Sequence, residues 1–374
     1  MMKNKKILFI VHRLYFNNQV KKGGADRIVD FLKTQNTIDI IAHPLKNIFY
    51  PSFFSSNKIE KKYHNHFKQP FCWLEQIIIN VIWILKINFQ YDLIIATDPL
   101  SFFSAYIIKK LKKTKKIQFH STDYSLPRFK NIIFEFFYQK FYILALKRAD
   151  LITVVSLKMA NKAYELLGYK KKNIVILPNS PDFSKIPKVP PNNRKLKHFA
   201  ISVGIFEDQV DLKSLLISLK FLKRLMNDFI LEIIGYVPKK YIKLFYNKGF
   251  KTNTIFYGIL PYEKAIKKIS ECSIGITCYS ANHSYVHYAD SLKIREYAAA
   301  GLPIVCDNIY GTAQEVKENI AGYVYNNPTE MVEYLIKLTS NKKLYLTISN
   351  NALNWAKKMD KARLLSNLYE NFNY

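Results

Sequence analysis

Residues 290–305 read DSLKIREYAAAGLPIV, and this stretch predicts a helix followed by a short buried strand. Asp290 suits the N-cap, Gly301 suits the position just past the helix end, and the strand begins at Pro303. Lys293 is unusual, because it falls in the first helical turn, where the helix dipole favours an anion over a cation. A lysine in this place indicates an anionic ligand that contacts both its ammonium group and the helix amides.

The same helix carries a second candidate, Glu296, three residues after Lys293 and on the same helix face. A lysine beside free helix amides suits a diphosphate, and a glutamate one turn later can accept hydrogen bonds from ribose hydroxyls. Residues 298–300 are alanines, which let the helix approach its sheet closely. The alternative is an ordinary surface ion pair between the two side chains, which contributes little to stability.

Strand and helix patterns alternate along the whole chain. The strand-like apolar runs before residue 180 are 6–12, 38–44, 92–98, 116–122, 150–156 and 173–179. Those after it are 198–204, 229–235, 254–258, 273–279, 303–307 and 322–325. Continuous apolar strands with helices between them predict parallel sheets that are covered on both faces.

The two series are separated at residues 179–195 by a segment that contains four prolines and is typical of a linker. We therefore predict an α/β protein with two doubly wound, Rossmann-like domains, at residues 1–180 and 181–355. A final helix within residues 356–374 is expected to pack back on the first domain. Open parallel sheets bind ligands at the carboxyl ends of their strands, so we expect the chemistry in a cleft between the two domains.

Three features of the first domain are candidates for chemistry. Gly23 and Gly24 precede the first predicted helix and can let backbone amides approach a phosphate or an acceptor, although a plain flexible loop fits equally well. His120 and Asp123 follow the fourth predicted strand. Asp123 can act as a general base toward a hydroxyl, or it can cap a turn. His120 is a rival base, or a packed histidine.

The formal charge of the 374-residue chain is +29, and it is uneven. Residues 1–185 carry 31 Lys+Arg against 12 Asp+Glu, a net charge of +19, and residues 186–374 carry +10. A basic half indicates an anionic partner, which can be a membrane surface, a nucleic acid or a phosphorylated substrate. The alternative is compositional drift in a chain rich in Lys, Asn, Ile, Phe and Tyr.

Membrane and compartment signals point to a peripheral, cytoplasmic protein. No segment reaches the ~18 consecutive apolar residues of a membrane span. The run at 7–11 is too short for a signal peptide core, and the four cysteines form no Cys-x-x-Cys pair, so we expect a reducing compartment. Two aromatic-rich segments, 71–89 and 129–146, fit a protein on the inner face of a cell membrane, or are ordinary core helices.

The motifs resemble those of glycosyltransferases with the GT-B fold, which has two Rossmann-like domains. The segment EYAAAGLPIV and the loop GGADR resemble motifs of retaining glycosyltransferase family 4. This chain departs from that family at Tyr288, where family 4 has a first glutamate, and after residue 202, where no Arg or Lys precedes Lys213. A closer resemblance, carried by HYADSLKIREYAAAGLPIVCDN and by FHSTDY, is to the inverting glucuronosyltransferases of xanthan-type polysaccharide assembly, glycosyltransferase family 70, which has a glutamine at the position of Glu296.

The resemblance implies a role for each domain. The second domain would hold a UDP-sugar, possible donors including UDP-glucuronic acid, and the first would hold a lipid-linked or oligosaccharide acceptor. The implied catalytic base is Asp123. The implied donor-binding residues are Asp290, Leu292, Lys293 and Glu296, with Tyr279 stacked near the nucleotide. No Asp-x-Asp motif occurs, so a reaction without metal or other cofactor is expected, with Lys293 replacing the cation.

Three alternatives stay open at this point. The first is a retaining transferase of the family 4 type. The second is a sugar epimerase of the same fold, which would use the nucleotide site without an acceptor. The third is a basic nucleic-acid-binding protein, although the sequence contains no recognition helix, zinc site or aromatic RNA-binding motif, and we expect no nucleic acid partner.

Overall fold

A computed structural model describes residues 3–12, 24–43, 50–55, 58–63, 65–68, 70–204, 206–281 and 284–372. The chain divides into two compact units. The first consists of residues 1–178 and 362–374, and the second of residues 179–361. The boundaries expected at residues 180 and 355 therefore lie at 178 and 361.

Within its described residues, the first unit contains eight strands and five helices before the linker. Its strands are β1 (Lys6–His12), β2 (Thr37–His43), β3 (Tyr50–Ser55), β4 (Lys58–Tyr63), β5 (Tyr91–Ala96), β6 (Thr114–Ser121), β7 (Leu151–Val154) and β8 (Ile174–Ile176). Its helices are α1 (Gly24–Lys33), α2 (Phe71–Leu85), α3 (Pro99–Lys110), α4 (Ile132–Arg148) and α5 (Leu157–Leu167).

The second unit continues the alternation. Its strands are β9 (Lys195–Ser202), β10 (Ile230–Ile234), β11 (Thr254–Gly258), β12 (Cys272–Ile276), β13 (Ile304–Asp307) and β14 (Gly322–Tyr325). Its helices are α6 (Phe206–Gln209), α7 (Leu212–Leu225), α8 (Lys239–Asn247), α9 (Tyr262–Glu271), α10 (Leu292–Ala299), α11 (Thr312–Glu318), α12 (Pro328–Ser340) and α13 (Lys342–Lys358). The last helix, α14 (Lys361–Asn371), ends the described chain.

All twelve predicted strands are present, and each unit is built around a twisted sheet. The first sheet has the order β4-β3-β2-β1-β5-β6-β7-β8 and the second has the order β11-β10-β9-β12-β13-β14. The neighbouring strands are parallel except in the β2-β3-β4 portion, where β3 and β4 form an antiparallel hairpin at the sheet edge. This hairpin was not predicted from the sequence, because residues 58–63, KIEKKY, are mostly charged and form no apolar run.

The C-terminal helix completes the core of the first unit. Leu365, Leu368 and Tyr369 of α14 belong to the same apolar cluster as Ile7 and Phe9 of β1. The hydroxyl of Tyr369 also donates to the side-chain oxygen of Gln118 in β6, at 2.9 Å. The helix at the end of the chain is therefore a structural part of the domain at its beginning.

Each sheet reverses its strand order at one point, and that point defines where a ligand is expected. In the first unit the reversal lies between β1 and β5, and in the second it lies between β9 and β12. In open α/β sheets, ligands bind beyond the carboxyl ends of the strands at such a switch point. The residues that follow these four strands are accordingly the first place to look for a site.

Helix α2 buries two polar side chains together with Cys72, Ile77, Trp83 and Ile84. Gln76 and Asn80 are buried, whereas Phe71, Leu74 and Ile78 are 59%, 54% and 59% exposed. The polar side chains are buried because two histidines at the strand ends receive them: His12 contacts Gln76 and His43 contacts Asn80. Part of the apolar surface of α2 nevertheless remains exposed at these three residues.

The two histidines differ in charge. Nε2 of His43 donates to Oδ1 of Asn80 at 2.6 Å, and burial, with repulsion from His12, lowers the pKa of His43 to about 3. Burial alone would also lower the pKa of His12, but the carboxylate of Asp98, 2.9 Å away, outweighs it and raises that pKa. His43 is therefore neutral, and the Asp98 carboxylate favours the protonated form of His12.

The depressed pKa of His43 predicts acid sensitivity of the first unit. Between pH 6.5 and about 3 the unfolded chain binds a proton at this histidine that the folded chain does not, so the free energy of unfolding falls as the pH falls. We expect His43→Gln, which keeps a donor for Asn80 but cannot titrate, to lack this component. Its destabilisation relative to the parent protein should shrink by up to ~1.4 kcal/mol per pH unit below pH 6.5.

Urea denaturation at several pH values would measure this difference. A Trp355→Phe background restricts the tryptophan fluorescence to Trp73 and Trp83, which both belong to the first unit. Parallel pH profiles for the parent and the His43→Gln protein would show that His43 is not the titrating group.

Candidate functional site

Backbone contacts join the loops that follow β9 and β12 at the switch point of the second sheet. Val210 forms an isolated antiparallel bridge with Tyr279, and the amide of Ser280 donates to the carbonyl of Gln209 at 3.0 Å. The hydroxyl of Tyr297 in α10 accepts from the amide of Ser202 at 2.7 Å and donates to the carbonyl of Ile276 at 3.2 Å. Helix α10 is thereby fixed against the ends of both strands.

The close seat of α10 on its sheet depends on Gly275 in β12. A Cβ atom at this position would lie 2.3 Å from the ring of Tyr297, so only glycine leaves room for that ring. Ala298, Ala299 and Ala300 are all buried, which agrees with the close approach expected from the alanine run. This packing places the N-terminus of α10 beside the switch point.

Lys293 is the second residue of α10 and lies at this N-terminus. Its Nζ is 3.0 Å from Oε1 of Gln209 and 4.9 Å from the centre of the Tyr279 ring. The amide of Gly204, just after β9, donates to the same Oε1 at 3.3 Å. The lysine is therefore positioned by neutral groups from both loops, at the helix end whose dipole favours an anion.

Tyr279 and Leu292 both lie close to Lys293, in different surroundings. The ring of Tyr279 is buried against Tyr310, with the ring centres 4.3 Å apart, and its hydroxyl lies 2.9 Å from Oγ of Ser291. A buried ring supports Lys293 and the loop more readily than it stacks on a base. Leu292 begins the helix and is half-buried, and Glu296 lies one turn later and is buried.

Asp290 is not the N-cap of α10, and this expectation was wrong. Ser291 caps the helix by accepting from the amide of Ile294 at 3.4 Å. The carboxylate of Asp290 is instead taken up by buried partners: it accepts from Arg295 at 2.8 Å, from the hydroxyl of Thr312 at 2.7 Å and from the amide of Asn179 at 2.7 Å. Asp290 therefore positions the helix and is not available to a ligand.

Arg295 is the centre of this buried network, and the sequence did not single it out. It pairs with Asp290 and, at 2.8 Å, with Glu315 of α11, and its guanidinium lies 5.1 Å from the centre of the Trp355 ring. Burial alone would lower the pKa of Arg295, but the two carboxylates outweigh it and raise that pKa. The arginine therefore stays charged in the interior and ties α10 to α11.

A second buried arginine closes the other end of α10. Arg194 donates to the carbonyls of Gly301 at 2.7 Å and of Ala300 at 2.8 Å, which are backbone groups left open where the helix stops. Gly301 adopts φ +70°, as expected for the residue that ends a helix. A cation at the C-terminal end agrees with the helix dipole, whereas the cation of Lys293 at the N-terminal end opposes it.

The first unit presents Asp123 and His120 at the end of β6. His120 is fully buried, with Nδ1 2.9 Å from the hydroxyl of Thr153. Asp123 lies beyond the strand, and its side chain is 40% exposed and forms an ion pair with Arg128 at 3.0 Å. Accessibility therefore favours Asp123 over His120 as the group that meets a substrate, although Arg128 holds one of its oxygens.

A polar cluster that the sequence did not predict lies at the switch point of the first sheet. His12 ends β1, and Asp98 follows β5 and caps α3 by accepting from the amides of Leu100 and Ser101. His12 faces Asp98 through Nδ1 and Gln76 through Nε2, both at 2.9 Å. Although burial alone would raise the pKa of Asp98, His12 and the hydrogen bonds lower it to about 2.

Because both ring nitrogens of His12 face acceptor oxygens, both carry a proton, and the ring cannot act as a base in this arrangement. His12 and Asp98 each end an apolar run in the sequence, but only the strand order of the sheet brings them together.

Two further expectations concern the first loop and metal binding. Gly24 begins α1, and Gly23 lies outside the described residues. Among the residues that the structure describes, no group of three or more His, Cys, Asp or Glu side chains is arranged to hold a metal ion.

Family models match both parts of the chain. Residues 184–355 match the model described as glycosyl transferases group 1, and residues 33–185 match the model described as glycosyltransferase family 4. No curated protein matches the chain in sequence. The closer resemblance to family 70 stays a prediction.

Solved structures share the fold at low sequence identity. Anabaena HepE in complex with UDP-glucose is 15% identical, with 98% of this chain and 99% of that chain covered and a TM-score of 0.68. WaaG, a glycosyltransferase of lipopolysaccharide biosynthesis, is 14% identical, with 96% and 98% covered and a TM-score of 0.65. An S. aureus TarM variant with bound UDP is 15% identical with a TM-score of 0.63; the alignment covers 86% of this chain but only 62% of that one.

The strand order and the solved structures indicate one fold, and the two family matches indicate one class of enzyme. The chain is a glycosyltransferase with the GT-B fold.

Proposed function

We propose that the protein transfers a sugar from a UDP-sugar to a hydroxyl group, and that the second unit binds the donor at the N-terminus of α10. The observation that carries this proposal is the position of Lys293, whose ammonium lies at that N-terminus and at the switch point of the sheet. A diphosphate would receive hydrogen bonds from the lysine and from the first amides of the helix. The HepE and TarM structures, which contain UDP-glucose and UDP, support this choice of donor.

The remaining donor contacts follow from the helix geometry. Glu296 lies one turn after Lys293 and is proposed to accept hydrogen bonds from the ribose hydroxyls. Leu292 is proposed to contact the nucleotide from the first helical position. Tyr279 orients the lysine through its ring face, and Asp290 acts through Arg295 by holding the helix in place. We propose that Lys293 takes the place that a divalent cation occupies in other transferases, so that the reaction needs no metal.

The chemical step develops charge on the leaving group. As the bond between the anomeric carbon and the diphosphate breaks, its electron pair leaves with the diphosphate, and negative charge grows beside Lys293 and the α10 amides. Groups that are already oriented toward that charge stabilise the transition state without reorganising. The buried pairs at both ends of α10 provide this fixed orientation.

Substitution of Lys293 tests the donor site. We expect Lys293→Ala to weaken UDP binding by ~1.5–3 kcal/mol, because one charge-assisted hydrogen bond is lost. The matched control is Lys343→Ala, since Lys343 is also the second residue of a capped helix, α13, but is exposed elsewhere in the unit. Calorimetric titration with UDP measures both, and an unchanged affinity in Lys293→Ala would remove the lysine from the site.

For the acceptor side we propose that Asp123 is the general base of an inverting transfer. The acceptor hydroxyl gives its proton to the Asp123 carboxylate while its oxygen forms the new bond to the anomeric carbon. The exposure of Asp123 and its place after β6 support the assignment, together with the resemblance of residues 119–124 to family 70. His120 is buried against Thr153 and is the less accessible of the two candidates.

The base assignment predicts a specific kinetic defect. Asp123→Asn keeps the shape of the side chain but cannot take a proton, and a general base contributes typically ~10²–10⁴-fold. We expect kcat to fall by that factor while UDP affinity stays near the parent value. Asp92→Asn, which changes a surface carboxylate paired with Lys115, is the matched control and should be fully active. Normal turnover by Asp123→Asn, with an inactive His120→Gln, would reassign the base.

A second candidate is a retaining transfer, and two observations favour it. Residues 33–185 match the family 4 model, and Arg128 holds the Asp123 carboxylate in an ion pair at 3.0 Å. The anomeric configuration of the product, measured by NMR, decides between the two mechanisms. Inversion is expected from our proposal, and retention would establish the alternative.

We propose that the acceptor is a membrane-associated glycan or glycolipid, that the protein works on an anionic membrane surface, and that it serves cell-surface polysaccharide assembly. The net charge of +19 in residues 1–185 and the exposed apolar faces of α2 and α4 support this location. Among the residues that the structure describes, no helix has both the length and the apolar character needed to cross a bilayer. Nucleic acid binding would use the same charge but would leave the exposed apolar faces without a role.

The membrane proposal predicts salt-sensitive binding to vesicles. We expect the protein to float with anionic vesicles at low salt and to dissociate as the Debye length falls from ~10 Å at 0.1 M to ~3 Å at 1 M salt. Flotation with phosphatidylglycerol vesicles, compared with pure phosphatidylcholine vesicles, measures the electrostatic part. Equal recovery with both lipids at every salt concentration would contradict it.

A further inference from the structure

An apolar groove runs along the surface of the first unit between α2 and α4. Its volume is about 300 Å³, which is within the lower range of small-molecule sites. Helix α3 lies between the other two helices and supplies its floor. The residues that shape the groove include Phe71 and Leu74 of α2, Leu100 of α3, and Phe129, Phe137 and Tyr138.

Aromatic contacts hold the groove open in a defined shape. The ring of Phe129 lies 5.2 Å from that of Trp73 and 5.4 Å from that of Tyr138, measured between ring centres. Phe71, Leu74 and Phe137 nevertheless expose more than half of their surface. The groove is therefore a preformed apolar channel whose walls are open to a ligand.

Positive charge lies at one end of this channel. The guanidinium of Arg128 is 5.6 Å from the centre of the Tyr138 ring and 3.0 Å from the Asp123 carboxylate. Lys130 and Lys140 are exposed on the same segment. The nearby carboxylate of Glu135 accepts hydrogen bonds from the backbone amides of Arg128 and Phe129, so it organises this end. An apolar channel with a cationic end matches a molecule that has a hydrocarbon chain and an anionic head.

We propose that this groove binds the hydrocarbon chain of the acceptor lipid and that Arg128 binds the phosphate through which the chain carries its glycan. The proposal rests on the transfer function given above and specifies its acceptor. Arg128 can form paired hydrogen bonds with a phosphate, and doing so would release Asp123 from its ion pair. The base is then freed only when an acceptor is bound, and the hydroxyl that it meets lies close to the phosphate.

A bromine-labelled probe tests the groove without any sugar transfer. The probe is 12-bromododecyl phosphate below its micelle-forming concentration, and the readout is quenching of Trp73, which lines the groove. We expect saturable quenching that is lost in Trp73→Phe. A bromododecyl trimethylammonium probe should bind at least tenfold more weakly, because its head group is repelled by Arg128. Absence of quenching, or equal binding of the two probes, would overturn the proposal.

Two variants of one helix separate the groove from a general apolar surface. Leu74→Glu places a charge in the groove, whereas Ile82→Glu makes the same change on an exposed residue of α2 outside it. We expect the first to weaken binding of the phosphate probe at least tenfold and the second to leave it unchanged. Equal weakening by both would show that the helix face inserts into lipid as a whole and that no chain site exists.

Arg128→Gln tests the head-group contact. It is expected to reduce affinity for the phosphate probe about tenfold and to leave affinity for bromododecanol unchanged. If Arg128 only maintained the structure of the groove, binding of both probes would be weakened. This experiment is independent of the UDP titration, because the probe carries no sugar and the assay contains no donor. The groove proposal and the donor proposal can therefore fail separately. Probe binding without UDP binding would keep the lipid site and overturn the proposed donor. Transfer without probe binding would overturn the groove alone.

Discussion

The buried ion pair between Arg295 and Asp290 fixes the candidate donor site. It joins the loop before α10 to the helix itself, and Glu315 extends it to α11. Breaking such a pair by removing one partner costs about 3–5 kcal/mol, because a charge is left buried without compensation. Lys293 lies two residues before Arg295, so its position depends on this pair even though the pair touches no ligand. A helix held at its first turn by Arg295 and at its last by Arg194 cannot shift along its axis, which suits a site that must meet a charge at a fixed place.

The first unit shows a different solution to burying polar groups. Gln76 and Asn80 of α2 are acceptable in the interior because His12 and His43 satisfy them at the ends of β1 and β2. The same arrangement leaves Phe71, Leu74 and Ile78 of α2 exposed, while Ile77, Trp83 and Ile84 are buried beside the polar pair. The histidines at the strand ends therefore determine which side of α2 faces inward. The exposed apolar residues follow from the same orientation of the helix.

The fold was largely predictable from the sequence because buried parallel strands appear as continuous apolar runs. The β3-β4 hairpin was not predicted because residues 58–63 form no continuous apolar run. In the site, Lys293 could be singled out because its charge opposes the helix dipole. Its partner Gln209 could not, because 84 residues separate them and only the strand order brings them together. Asp290 and Ser291 are adjacent, and both residue types can cap a helix. Ser291 caps α10 because the Asp290 carboxylate pairs with Arg295, and local propensity does not predict such a tertiary contact. The His12–Asp98 pair had the same origin, since two strand ends became neighbours only through sheet topology.

The return of α14 to the first unit has a consequence for the order in which the protein matures. Leu365, Leu368 and Tyr369 complete a core whose other buried members lie between residues 7 and 177. The second unit, residues 179–361, is contiguous and can fold as soon as it leaves the ribosome. The first unit must wait with part of its apolar core uncovered until residues 362–372 have been synthesised. The unit that begins earlier in the chain is thus completed after the other, and the nascent chain carries the open core while the whole second unit is synthesised.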